Sequence, residues 1–351
     1  MHAAYLRNFV DQSSRRLLQV SIPPVRYWLL RDVMGRDESD IILRKTVEEC
    51  EPFPARLRLL NAIREVGTWP ILKHQREQEE REGGPPMGFT YSTMLINLYK
   101  LLQMRTDVSE GKISKSLERI LGWQTGEGYI PGTWTNLFPI PYWNAFAAHD
   151  LLRFGMGEDP RVKKLVSWLL SMQRADGGWN IPYYEDVKYL PRYRKIPPEE
   201  FVKVLREEGV DKHDPKQLQR FPSCTWSTVQ VLWGLVECDE VAGSRTARRA
   251  GQFVLDRFLQ RNPHPSFYPT VDHWSVFRYP PNTGGGLPAL QVLTRLGFGP
   301  DNPKMDVCVR WLVDQRGEDY FWHRTQGSHP TSDQWITLIA LQVLSEYLKR
   351  L

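Results

Sequence analysis

Four cysteines in 351 residues, with no Cys-x-x-Cys pair, are too few for a disulfide framework. A reducing, cytoplasmic setting is the expectation that follows. No apolar run approaches the roughly 18 residues that a membrane-spanning helix needs. The first twenty residues carry no apolar stretch of the secretory kind, so no signal peptide is expected. Contact with a membrane surface stays open. Charge of one sign is also scarce: 46 Lys and Arg against 41 Asp and Glu leave a net +5, without long like-charge blocks. That balance describes a mixed solvated surface and argues against a nucleic-acid partner. Strand-like alternation of apolar and polar residues is missing throughout.

Aromatic residues are what the chain has in excess. Thirteen Trp, 14 Tyr and 14 Phe make up 12% of it, and 26 prolines accompany them. Such side chains build cores, and they also make platforms for apolar or cationic species.

An apolar helical run ending in Gln, followed by a Gly- or Pro-containing turn, recurs along the chain. Val166–Trp179 is the clearest copy, with Gln173, Asp176, Gly177, Gly178 and Trp179 in its turn. Leu121–Tyr129 and Val309–Tyr320 are further copies, and Trp69–Gln75 and Val254–Gln260 are weaker ones. The glutamines fall at 75, 124, 173, 260 and 315, and the wide third gap locates an insertion at about 180–222. A second apolar helix follows each turn: Tyr91–Leu102, Tyr142–Phe154, Cys224–Val236, Gly285–Leu296 and Asp333–Leu348. Val25–Val33 and Ala55–Val66 provide an upstream unit. The second helices are apolar nearly all round and should be buried on all sides. First helices such as Pro160–Met172 and Asn302–Val313 carry charged faces. An inner ring of apolar helices inside an outer amphipathic ring is an all-α fold, an α/α toroid of about six helix pairs. Its domain is expected to span 23–351, behind an N-terminal arm at 1–22.

The stretch Gln173–Trp179 resembles the QW-type repeat of the terpenoid cyclase and protein prenyltransferase superfamily, which includes squalene–hopene cyclases and forms α/α toroids. The resemblance implies an isoprenoid-handling enzyme or binder with an aromatic central cavity. Similar turns occur in toroid polysaccharide lyases, so a lyase or hydrolase on the same scaffold is an alternative. A non-catalytic toroid that binds another protein is a third. The family's Asp-x-Asp-Asp acid motif has no counterpart here. Ser223-Cys224-Thr225 resembles the Asp-Cys-Thr of oxidosqualene cyclases, with serine in place of the acid. Prenyltransferases hold zinc through Asp-x-Cys; Asp306-Val-Cys308 has that form but lies on an outer helix, where Cys308 reads as core.

The long loops at 126–141, 180–222, 262–283 and 317–332 all leave the same end of such a ring, and the short return loops should close the other. Functional residues are therefore expected among those loops. Asp272, His273, His329 and Asp333 are the candidate catalytic residues, as an acid–base pair or a metal site. Zinc or magnesium would require three or four of them to converge; no cofactor is demanded by the sequence. Tyr142, Trp143, Cys224, Trp226 and Arg278 are the candidate substrate-binding residues for an apolar or lipid-like molecule. Each has a plain alternative: helix caps for Asp333, loop packing for the histidines, core for the aromatics. His149 reads as a satisfied core histidine.

Overall fold

A computed structural model describes residues 2–81, 88–131, 140–180, 207, 222–264, 268–281, 284–327 and 329–351. Nearly all of the expected 180–222 insertion lies outside them. The described residues are helical, with no strand among them and a single antiparallel bridge between Trp179 and Cys224. None of their helices is long and apolar enough to cross a membrane.

The helices are α1 (Ala3–Val20), α2 (Pro23–Trp28, continued by a π turn, Leu29–Val33), α3 (Ile41–Cys50), α4 (Pro54–Asn61), α5 (Lys73–Arg81), α6 (Phe89–Gln103) and α7 (Ile113–Leu121). After them come α8 (Pro141–Arg153), α9 (Pro160–Ser171), α10 (Thr225–Leu235), α11 (Asp239–Ala242), α12 (Arg245–Asp256), α13 (Gly286–Arg295), α14 (Pro303–Asp314) and α15 (Pro330–Leu348). They divide into two kinds, as the residue pattern demands. In α7, Ile113, Ser116, Leu117, Ile120 and Leu121 are buried. In α12 the buried set is Ala247, Ala250, Gly251, Phe253, Val254 and Leu255. Both follow the i, i+3, i+4, i+7 stripe of a one-faced helix. All of α10 is buried, as is most of α8 and α15.

The buried helices pack in series. α6 lies on α8, α8 on α10, α10 on α13, and α13 on α15. α15 then packs on α1, on α2 and on the π turn. The Trp28 indole at the end of α2 donates to the Gln103 carbonyl at the end of α6, 2.7 Å away. Gln334 fastens the start of the chain from α15, accepting from the Ile22 amide and donating to the Val20 carbonyl. α8 and α10 touch backbone to backbone: a β-carbon on Gly234 would sit 2.1 Å from the Ala145 carbonyl oxygen.

The turns before the buried helices share one hydrogen-bonded form. Arg64, Thr125, Arg174 and Gly317 each donate an amide to the carbonyl four residues on, at 2.7–2.9 Å. The next residues are Trp69, Ile130, Trp179 and Trp322. The indoles of Trp69, Trp179 and Trp322 reach back ten residues, to the carbonyls of Leu59, Leu169 and Leu312. Gln124 donates to the Gly128 carbonyl and to Arg161 at the start of α9; Gln173 does the same to Gly177 and to Thr246 in α12. One amide group thus closes its own turn and holds the next flanking helix. Gly128 has φ 105°, and a β-carbon there would lie 2.8 Å from the Lys164 carbonyl oxygen, so both conformation and space select glycine.

This register corrects two sequence copies. Trp69 matches Trp179, not the Trp168 of the preceding helix, and Ile63 stands at the glutamine position. Gln75 lies in α5, where it accepts from the Leu72 amide. In the last copy Arg316 rather than Gln315 precedes the turn; it stacks on Phe9 of α1 and donates to Ser13.

Candidate functional site

The short return loops were expected to seal their end of the fold. Instead, the C-terminal ends of α2, α6, α8, α10, α13 and α15 surround a cavity of about 710 Å³. Those loops are short, but the side chains above them leave the space unfilled, and charged residues line it. Tyr99, His149 and Trp233 face it from α6, α8 and α10, and Arg31, Arg153 and Glu237 stand around it.

Aromatic rings from distant parts of the chain meet beside this cavity. Tyr99 contacts Phe146, Trp233 and Tyr279 at centroid separations of 6.0, 5.5 and 5.8 Å. Tyr279 stacks on Trp335 of α15 at 5.1 Å, and Phe146 meets Trp233 edge-on at 5.3 Å. His149 lies flat against Trp233, and its Nδ1 is 3.0 Å from Asp150 Oδ1.

Asp150 is the functional candidate that sequence reasoning missed. It is completely buried, and its Oδ2 has no hydrogen-bond partner among the described residues. Burial, reinforced by the Glu237 carboxylate, raises its pKa well above the ordinary carboxylate range. That shift favours the protonated carboxyl. Burial, then Arg153 and Arg295, push His149 well below the usual histidine value. His149 is therefore neutral, and its Nε2, 3.8 Å from Glu237 Oε1, makes no ion pair. Glu237 is held by Arg295 through both carboxylate oxygens. The sequence signal for Asp150 was slender: an acid in the middle of an otherwise apolar helix, outside any Asp-rich motif.

The residues singled out in the loops serve several separate arrangements. Asp272 is exposed in a 3₁₀ turn, Val271–Ser275. His273, one residue on, is buried between Tyr268, stacked at 4.2 Å, and Trp226 at 4.6 Å. Asp333 accepts from the Arg324 amide and from His323 Nδ1, and His323 Nε2 meets Asp319 Oδ1, both histidine contacts being 3.0 Å. His329 caps α15, accepting from the Ser332 amide. Among the described residues no group of three or more His, Cys, Asp and Glu could hold a metal.

Cys224 caps α10 toward the Ser227 amide and accepts from Asn262 Nδ2 at 3.2 Å. Ser223 donates its amide and hydroxyl to Asp176 of the Gln173–Trp179 turn. Trp226 is sealed, its indole donating to the Tyr268 carbonyl. Tyr142 and Trp143 are half-buried, with Trp143 stacked parallel to Phe146. Arg278 lines a narrow cleft with Gly284 and Leu287, and Gln291 and Ile339 border both that cleft and the larger cavity. Cys308 is core, its thiol pushed up to about 12 by burial.

No family model matches the chain, and no curated protein does. Solved structures of the type II terpene cyclase MstE from Scytonema are similar over most of their length. One, a point variant in complex with geranylgeranyl dihydroxybenzoate, is 11% identical, covers 88% of this chain and 100% of its own, and has a TM-score of 0.29. The apo enzyme is 12% identical, with coverage of 86% and 98% and a TM-score of 0.26. A further variant, in complex with merosterolic acid A, is 12% identical, with coverage of 88% and 100% and a TM-score of 0.28. At TM-scores this low the likeness decides neither fold nor activity.

Proposed function

We propose that this chain is an isoprenoid-handling enzyme built on an α/α toroid. The serial packing of the six buried helices, returning from α15 to α2, supports the toroid. In this reading 23–351 is the toroid domain, 180–222 an insertion over its mouth, and 1–22 an arm that returns as α1 against α15.

The observation that carries the chemistry is Asp150, buried in α8 with one oxygen unpartnered among the described residues and its carboxyl pushed up by burial, beside the His149 that stacks on Trp233. A protonated carboxyl is a general acid. Its O–H bond breaks as a C–H bond forms on an alkene carbon, leaving a carbocation on the substrate and a carboxylate on the protein. The faces of Tyr99, Phe146, Trp233 and Trp335 favour that cation electrostatically, and an apolar chain would sit against the same surfaces. Tyr142, Trp143 and Arg278 would line the approach from the opposite end. Asp150 takes the acid's part in place of Asp272 and Asp333, because Asp272 lies exposed in its turn and Asp333 is engaged by the Arg324 amide and His323.

Incubation with farnesol, geranylgeraniol and squalene, followed by gas chromatography and mass spectrometry, tests the proposal. Cyclised or hydrated products should form, and Asp150→Asn should abolish them while Asp333→Asn, if folded, retains them. A folded Asp150→Asn protein with undiminished turnover would overturn the assignment. Absence of both product and co-purified apolar ligand would overturn the isoprenoid reading.

A further inference from the structure

The cavity, which also holds Asp239, carries a loosely paired cation beside an aromatic wall. Asp32 accepts from Arg31 through one carboxylate oxygen and from Gln342 through the other. Glu237 is engaged by both terminal nitrogens of Arg295. Lys349 pairs with Glu346, and Arg350 donates to the Thr294 carbonyl at the end of α13. Arg153 differs. Its guanidinium makes no hydrogen bond among the described residues; its nearest acid is the Glu237 carboxylate already held by Arg295, 3.6 Å away.

Two guanidinium groups converge on one indole. Arg31 lies 4.1 Å from the Trp28 ring centroid and Arg153 5.9 Å from it. Both border the cavity, and both are about one-third or more exposed. Arg31 has Asp32 and Arg153 shares Glu237 with Arg295, and an anion between the two guanidinium groups would add a partner to both. Arginine's planar fork matches a carboxylate or phosphate, and its five donors are otherwise unused in Arg153. The helix C-termini around the cavity add negative partial charge, which the other basic residues offset. Trp233, Tyr99 and His149 line the cavity with the cations, together with the polar side chains of Gln103, Gln291 and Gln342.

We propose that this cavity binds an organic anion. Its carboxylate or phosphate monoester lies between Arg31 and Arg153 over Trp28, and its apolar body lies against Trp233 and Tyr99. The site rests on the isoprenoid reading only for the identity of that body.

Calorimetric titration of the full chain with farnesoic acid, farnesol, decanoate and inorganic phosphate at pH 7.5 tests it. Farnesoic acid should bind at least tenfold more tightly than farnesol. Arg153→Met should cost about tenfold in affinity for the acid and leave farnesol unchanged, the scale of one charge-assisted interaction. Arg153→Lys should restore part of the loss, and Arg31→Met should lower the same preference in a protein with unaltered circular dichroism. Equal binding of acid and alcohol, or a preference indifferent to both arginine substitutions, would overturn the site. Inorganic phosphate binding as tightly as the organic acids would overturn the apolar part. Decanoate bound with the Arg153-dependent preference, and no isoprenoid bound at all, would support the anion site while removing the isoprenoid reading.

Discussion

His149 lies flat on Trp233, their ring centroids 3.8 Å apart and their planes within 10°. Burial in this stack, with Arg153 and Arg295 nearby, lowers the His149 pKa, and its Nδ1 edge lies against Asp150. Burial disfavours the charged form of both side chains, and opposite pH dependences result. For Asp150 the folded pKa is above the unfolded one. Above about pH 4 the unfolded chain ionises while the native carboxyl does not, so this residue costs stability as pH rises. Asp150→Asn keeps the shape of the neutral acid. Urea unfolding at pH 4.5 and 7.5 should show the variant gaining on the wild type at the higher pH. A difference that does not move with pH would show an ionised native Asp150.

His149 has the reverse sign. Its folded pKa is depressed, so its unfolded form takes up a proton below about pH 6.5 and the native form does not. Stability should fall from pH 7 to pH 5.5 because of this residue. His149→Phe should flatten that limb of the stability curve while preserving the stack on Trp233. Melting temperatures across the interval would reveal it.

His323 tests the same linkage at the surface. Burial alone would lower its pKa, but the Asp333 and Asp319 contacts outweigh that and raise it. The stabilisation is fully present below the unfolded value and is lost as pH rises through the folded one. The imidazole is nearly half exposed, so solvent screening limits the effect to under about 1 kcal/mol. His323→Gln should remove the decline in melting temperature between pH 6 and 8.5, and 0.5 M salt should shrink it in the wild type.

Much of the helix pattern was legible in the sequence because all-round apolar helices and one-striped helices leave different residue periods. Trp179, Gln173 and Gln124 were legible too, since their Gly-rich turns repeat. Gln75 misled because the same letters, Trp followed by Gln at short range, arise in an unrelated capped helix. The candidate site was much harder to see. Arg31, Arg153 and Glu237 lie far apart in the chain, and only the alignment of helix C-termini brings them to one cavity. Asp150 became notable through its burial and its unpartnered oxygen, neither of which a single sequence displays. His329 and Asp333 looked like neighbours in a site, yet on a helix the first caps the backbone while the second turns toward His323.

The repeat geometry makes a comparative prediction. Gln173 bonds the Gly177 and Thr246 carbonyls, whereas Gln75 accepts a single amide bond at an exposed helix start. At about 1 kcal/mol for each net hydrogen bond, Gln173→Ala should cost about 2 kcal/mol and Gln75→Ala about 0.5 kcal/mol. Equal losses in urea unfolding would mean that the glutamine does not tie its turn to α12.

The closest helix contact sets the strongest stability prediction. Gly234 lets α10 reach the Ala145 backbone, and a methyl group there has no flexible side chain to displace. Relief requires moving α8 against α10, and with it Phe146, His149 and Trp233. Gly234→Ala should therefore destabilise the protein by about 3 kcal/mol or more, despite alanine's better helix propensity. It should also alter tryptophan fluorescence. Gly243→Ala is the control: a β-carbon there comes no nearer than 3.6 Å to the Asp239 carbonyl. If Gly234→Ala were as mild as the control, the α8–α10 contact would be looser than backbone to backbone, and the aromatic cluster it positions would have room to reorganise around a ligand.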